Sequence, residues 1–266
     1  MGEQHKLEAF QGLLDHHAWR RVARVRRKRK LQSMSMQRDI AQPAPLMAGQ
    51  RRVIIGVADA RSNALGAARP LRGRGAKLAF TYQRDAFGRR AIPLAESVNS
   101  EIIESCDVQD LASVDNVFRA IDKKWGELDF IVHALAFSDR KELGGRYSDT
   151  SRDNFVQTMV ISCFSFTEIA KRAAPLMKNG GSMLTLTYGG STRVVPSYNV
   201  MGGAKAALEA SVRYLAADLG PQGIRVNALS AGPMRTLAGA AISDARVIFN
   251  FQAAHSPLRR TPHLDE

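Results

Sequence analysis

Cysteine is scarce in this chain: 266 residues hold two, Cys106 and Cys163. Two thiols this far apart build neither a disulfide framework nor a metal-ligand cluster, so no metal is expected, and their buried-looking segments fit a reducing cytoplasm. Long apolar runs are missing as well. Nothing approaches the ~20 consecutive apolar residues of a membrane-spanning helix, and the basic N-terminal stretch precedes no continuous apolar segment of the kind a secretory signal carries. The expectation is a soluble protein, with attachment to the surface of the inner membrane left open. Acidic residues are the third shortage, 25 against 38 Lys and Arg, for a formal charge of +13. The excess is uneven, because the first 50 residues hold ten Lys or Arg and four Asp or Glu. Within them, residues 20–30 read RRVARVRRKRK, which could meet nucleic acid, anionic lipid or an import receptor. A solvated tail is the simpler reading, and nucleic-acid binding is not expected.

Residues 1–50 show no sustained apolar period and end in the breaker-rich AQPAPLMAGQ, so they read as a disordered basic extension joined to a domain that begins at Arg51. Met47 stands just ahead of the first strand, where an alternative start would fall. A transit peptide is the rival reading, against which Glu3, Glu8 and Asp15 count. From residue 51 to 266, with 45% of the whole chain apolar, there is material for one sizeable core. Short β-branched runs at 53–57, 77–82, 101–106, 130–134, 182–187 and 225–230 alternate with helical patterns, the clearest at 111–125, 152–177 and 198–219. That alternation predicts an α/β fold: a doubly wound, Rossmann-like parallel sheet that binds its ligand at the carboxyl ends of the strands.

After the first strand comes Gly56-Val-Ala-Asp-Ala-Arg-Ser62-Asn63-Ala-Leu-Gly66. A glycine here permits a tight turn, and the following helix start presents amides to a pyrophosphate; Gly56 serves equally as a turn glycine and Ser62 as a helix cap. The second strand ends FTYQR, placing Gln83 where an acidic residue would select NADH over NADPH. Asp107 and Val108 follow the third strand, where Asp107 is a cofactor ligand or a cap. The fourth strand runs into His133-Ala-Leu135-Ala-Phe-Ser138. His133 attracts attention as a general base, but a histidine at a buried strand end is more often a hydrogen-bonded structural group.

Tyr198 and Lys205 stand seven residues apart with Met201 between, about two helical turns, so both project toward the cleft from one helix face. A nearby ammonium can favour the phenolate of Tyr198 or strengthen the hydrogen bond that its phenol gives. This Tyr-x-x-Met-x3-Lys spacing, the long loop after Gly56, and residues 185–239 as a whole resemble the divergent branch of the short-chain dehydrogenase/reductase family, whose best-known bacterial members are enoyl-acyl-carrier-protein reductases. The resemblance spans roughly residues 51–266.

It implies NADH-dependent saturation of a trans-2-enoyl thioester on an acyl-carrier protein, with NADPH less favoured although a cation at Arg84, so near the ribose, is compatible with it. It assigns catalysis to Tyr188, Tyr198 and Lys205. Cofactor contacts fall to Gly56, Ser62, Asn63, Gln83, Asp107, Val108, Leu135, Lys205, Met234 and Thr236, and substrate contacts to Ser138, Tyr188 and Tyr198. A lid over residues 236–244 and a homotetramer are implied as well. Three departures stand out: Pro70 inside the first helix, where the helix should kink or end; Asn63 in place of an apolar residue; and an ending, PLRRTPHLDE, where relatives add a helix and a strand, leaving the sixth strand an open edge. Another short-chain oxidoreductase, or an impaired remnant of the reductase, is the alternative.

Overall fold

Parallel strands covered on both faces must be apolar at consecutive positions, and the runs at 53–57, 77–82 and 130–134 meet that demand, while 225–230, RVNALS, alternates as an edge strand does. In the structure, a computed structural model that describes residues 45–234, 236, 239, 245–264 and 266, the six runs form β1 Arg51–Ile55, β2 Lys77–Tyr82, β3 Ile102–Ser105, β4 Phe130–His133, β5 Gly181–Thr187 and β6 Ile224–Ser230. Every pairing is parallel, in the order β3-β2-β1-β4-β5-β6. Within β1, Val53 and Ile55 enter one apolar cluster and Ile54 the other, as the two-residue period of a strand requires. The chain order reverses between β1 and β4, and that switch point opens a crevice at the carboxyl ends of the strands.

One face carries α1 Asn63–Gly73 and α2 Arg84–Ser97, which bury Leu65, Ala68, Ala91 and Ala95 against Leu78, Phe80 and Val132. The other carries α3 Leu111–Trp125, α5 Arg152–Met159, α6 Ser165–Ala173 and α7 Asn199–Leu219, with the single turn α4 Arg140–Leu143 at the rim and α8 Ala245–His255 near the end. There Val117, Ile121, Phe166, Ile169 and Leu208 close over Val53, Ile131 and Met183. The chain is already packed just ahead of Arg51: Met47 N donates to Arg74 O at 3.0 Å and Lys77 N to Gln50 O at 2.8 Å. The extension up to residue 44 lies outside the described residues. Among the described strands β6 pairs with β5 alone.

Three sequence expectations are corrected. The helix expected over 152–177 is broken: a π-helical turn, Val160–Phe164, separates α5 from α6, and a 3-10 turn with Pro175 closes the segment. The π turn offsets the register so that Ser162 and Ser165 both point inward to polar partners, a gain no apolar period can signal. Tyr198 is the residue before α7 rather than part of it. Pro70 does not end α1, which runs on to Gly73; it is exposed and in the last turn, so a single ladder bond, to Gly66 O, is lost. Phe166 is fully buried in the larger cluster, and Phe166→Ala should lower unfolding stability by about 3–5 kcal/mol in urea denaturation.

Candidate active site

The strand exit of β5 and the start of α7 converge on one point. Tyr188 leaves β5, and its ring meets the Tyr198 ring edge-on, centroids 5.1 Å apart at 69°. Tyr198 is 8% exposed and Lys205 5% exposed. The Lys205 ammonium donates to the carbonyl of Leu186 at 2.8 Å, two residues ahead of Tyr188. The structure brings the three to one strand exit, by a cap position and a strand end rather than by two residues on one helix face. Burial lowers Lys205 to about 8, with Cys163 and Glu209 opposing that shift. Burial, and after it the neighbouring Tyr188, raises Tyr198 well above the usual phenol range. Of the two options open in the sequence, this favours the second, because a phenol so raised is neutral and keeps its proton at neutral pH.

Two glycines make room for that ring. A Cβ on Gly190 would stand 2.5 Å from Tyr198 Cδ1, and one on Gly202 would stand 2.9 Å from the carbonyl of Gly190. Asn199, at φ +30°, turns its amide away from the helix and donates to the carbonyls of Glu142, Gly144 and Gly145 at 3.2–3.3 Å. It ties the rim segment to the helix start. Sequence reasoning missed Gly190, Gly202 and Asn199; the Gly189-Gly190 pair directly after Tyr188 was the available signal.

At the switch point, Gly56 has φ +97°, and a Cβ there would lie 2.6 Å from Ala134 O and 2.7 Å from Leu135 Cδ2. This is the close backbone approach that only glycine allows. Ser62 caps α1: its hydroxyl accepts from Leu65 N at 3.3 Å and donates to Asp59 O at 2.8 Å, so the cap role is the one its bonds describe. The first-turn amides of α1 have no intrahelical acceptors. The Asn63 side-chain oxygen is buried without a partner, an acceptor suited to a hydroxyl rather than a phosphate. Gln83 donates to Asp107 Oδ2 at 3.2 Å, joining the ends of β2 and β3, with Val108 buried beside them. Met234 O accepts from Thr236 N at 2.8 Å, and Thr236 Oγ1 accepts from Gly239 N at 3.0 Å. The rest of the expected lid, residues 237, 238 and 240–244, and the Arg84 side chain lie outside the described residues. Ser138 donates to Asn154 Oδ1 at 3.2 Å, within a network that Glu142 completes. A glycine cradle, an open helix start, an unpartnered acceptor and a buried ammonium with donors to spare fit an extended dinucleotide.

His133 is fully buried, its ring nitrogens 2.9 Å from Thr185 Oγ1 and from Ser165 Oγ. Ser165 spends its own proton on Ile161 O, so it accepts from Nε2–H while Nδ1 accepts from Thr185. The ring is a neutral strut between β4, β5 and α6, the structural role expected of it.

A crevice at the switch point, lined by a glycine cradle and a buried tyrosine and lysine, defines a dinucleotide-dependent reductase of the short-chain class. Residues 56–266 match the family model described as Enoyl-(Acyl carrier protein) reductase. The enoyl-[acyl-carrier-protein] reductase [NADH] 2 of Rhizobium meliloti is 65% identical over 221 residues, 83% of this chain and 82% of that one. Solved structures agree. The reductase of Anaplasma phagocytophilum, crystallised with NAD, is 56% identical with a TM-score of 0.81, covering 84% of this chain and 86% of its own. FabI of Candidatus Liberibacter asiaticus is 55% identical with a TM-score of 0.80, covering 82% of this chain and 84% of its own. The chain belongs to the enoyl-(acyl carrier protein) reductase family.

Burial, and then the charge of Lys205, lowers His133 to about 3, against ~6.5 in an unfolded chain. Between those values only the unfolded chain takes up the proton. His133 therefore contributes stability that is present above pH ~6.5 and lost by ~1.4 kcal/mol per unit as the pH falls toward 3. Urea midpoints at pH 7, 6 and 5 should show this slope, and His133→Gln should flatten it; a slope untouched by the substitution would assign the acid loss to other groups.

Proposed function

We propose that this chain uses NADH to reduce a trans-2-enoyl thioester carried on acyl-carrier protein to the saturated thioester, the last step of the fatty acid elongation cycle. The observation that carries the reading is the buried Tyr198 beside Tyr188, with Lys205 held two residues from the same strand exit. The names of the relatives, which specify NADH, support the choice of cofactor.

Reduced nicotinamide, when bound, supplies a hydride to the β-carbon. The chain itself does the rest. Tyr198 donates a hydrogen bond to the thioester carbonyl oxygen, where negative charge accumulates as the enolate forms; a fixed donor in a water-poor site stabilises such charge far better than solvent does. A proton then reaches the α-carbon and completes the saturation. Tyr188 flanks the carbonyl, and Ser138 borders the substrate on the loop after β4. Lys205 spends one N–H on Leu186 O and keeps two for the ribose hydroxyls. Gly56 and Asn63 take the pyrophosphate and ribose, with Ser62 acting through its cap of the α1 start rather than by a direct bond. Gln83, Asp107 and Val108 take the adenosine, and Leu135, Met234 and Thr236 the nicotinamide end.

Residues 51–266, with the packed residues 45–50 just ahead of them, form the reductase domain of this reading, and the residues before those its extension. No helix among the described residues is long and apolar enough to cross a membrane, in keeping with action in the cytoplasm. The exposed Val156 and Phe164, which border one surface hollow beside the π turn, offer apolar contacts to further copies, as the homotetramer of the resemblance needs.

NADH should be consumed with a crotonyl thioester and not with a 3-ketoacyl thioester; the reverse preference would make the chain a ketone reductase. Tyr198→Phe should cost about 10²–10³-fold in kcat. Activity that needs the Lys205 ammonium is present below its pKa of about 8 and falls as the pH rises through it, which a kcat profile between pH 6 and 10 measures.

A further inference from the structure

Lys205 has a companion that the reaction scheme leaves out. Glu209 lies one helical turn along α7 and faces the same side. The two residues grip adjacent positions at the end of β5: Lys205 Nζ holds the Leu186 carbonyl at 2.8 Å, and the Thr187 hydroxyl donates to Glu209 Oε1 at 2.6 Å. A hydroxyl on a carboxylate at that distance belongs to the short, charge-assisted class of hydrogen bonds. The next residue along the strand is Tyr188, so the exit that carries it is clamped twice, by main chain and by side chain.

The charges around Lys205 give the carboxylate a second role. From the π turn comes Cys163, from β4 His133, from the cap of α7 Tyr198, from α7 itself Glu209, and from the strand exit Tyr188. Burial raises the Cys163 thiol, so it is uncharged at neutral pH, and His133 and both phenols are neutral as well. Cys163 and Glu209 both oppose the burial that pushes Lys205 toward losing its proton, but a thiol raised by burial carries its charge only at alkaline pH, so at neutral pH the opposing charge is that of Glu209.

We infer that Glu209 is a positioning residue of the reductase: through Thr187 it fixes the strand exit bearing Tyr188, and across one helical turn its carboxylate keeps Lys205 an ammonium. The inference rests on the reading of Tyr188, Tyr198 and Lys205 as the reaction site. It adds a residue that touches neither substrate nor cofactor.

The test follows the full chain with NADH and a crotonyl thioester, comparing the parent protein with E209Q, T187V, T187S and Y198F. In E209Q the amide oxygen still accepts from Thr187 while the charge is gone; the alkaline limb of the kcat profile should move to lower pH by roughly one unit. In T187V the charge stays and the tether goes; kcat should fall about tenfold with the KM for NADH little changed, and T187S should restore it. An E209Q limb that coincides with the parent's, or a T187V kcat equal to the parent's, overturns the inference. If E209Q does not fold, T187V and T187S decide alone: loss with rescue supports the clamp, and equal kcat in all three overturns it. Failure of the wider reading looks different, since then the parent is inactive or Y198F is as active as the parent.

Discussion

A charged ammonium in a water-poor interior is the constraint around which this molecule is arranged. Taking Lys205 out of water costs several kcal/mol unless acceptors replace the lost solvent. The fold supplies the Leu186 carbonyl at one end of β5 and an acidic side chain one helical turn along α7. Meeting that demand fixes how α7 lies on the sheet. It also fixes where Tyr188 departs and where Tyr198 arrives. The absence of side chains at Gly190 and Gly202 then lets the Tyr198 ring rest against the turn between them.

The other half of the crevice depends on backbone proximity rather than charge. Gly56 brings the end of β1 against Ala134 and Leu135, so the first loop and the loop after β4 border a single groove. Below it, the neutral His133 links β4, β5 and α6 through two hydroxyls. The π turn serves this side as well, because Ser162 bonds both the N–H and the carbonyl of Phe137 and so fixes the loop that carries Ser138. A charged clamp on one wall and a hydroxyl-laced strut on the other hold the two halves in register.

Most of the architecture was legible because it rests on periodicities that one chain displays. Strand β2 at 77–82 and helix α3 at 111–125 fall at their expected bounds, since a short apolar run and an apolar 3.6-residue stripe each have one way to bury their faces. The break at Val160–Phe164 was not legible. Ser162 and Ser165 face inward for hydrogen-bond partners 25 and 32 residues away, and residue period carries no record of those. Pro70 misled for the opposite reason: a rule about helix interiors was applied to an exposed last turn, where one lost bond is tolerated.

The site divides in the same way. The identities of Tyr188, Tyr198 and Lys205, their spacing, and the glycine after β1 were fixed by the chain alone, because a short motif on one strand exit and one helix carries its own geometry. The tertiary structure decided the protonation states and the supports. That Tyr198 is a neutral phenol, that His133 is a strut rather than a base, and that Asn199 and Glu209 hold segments elsewhere in the chain all follow from burial and from contacts across elements. Desolvation and long-range hydrogen bonds come into being only when the strands and helices meet.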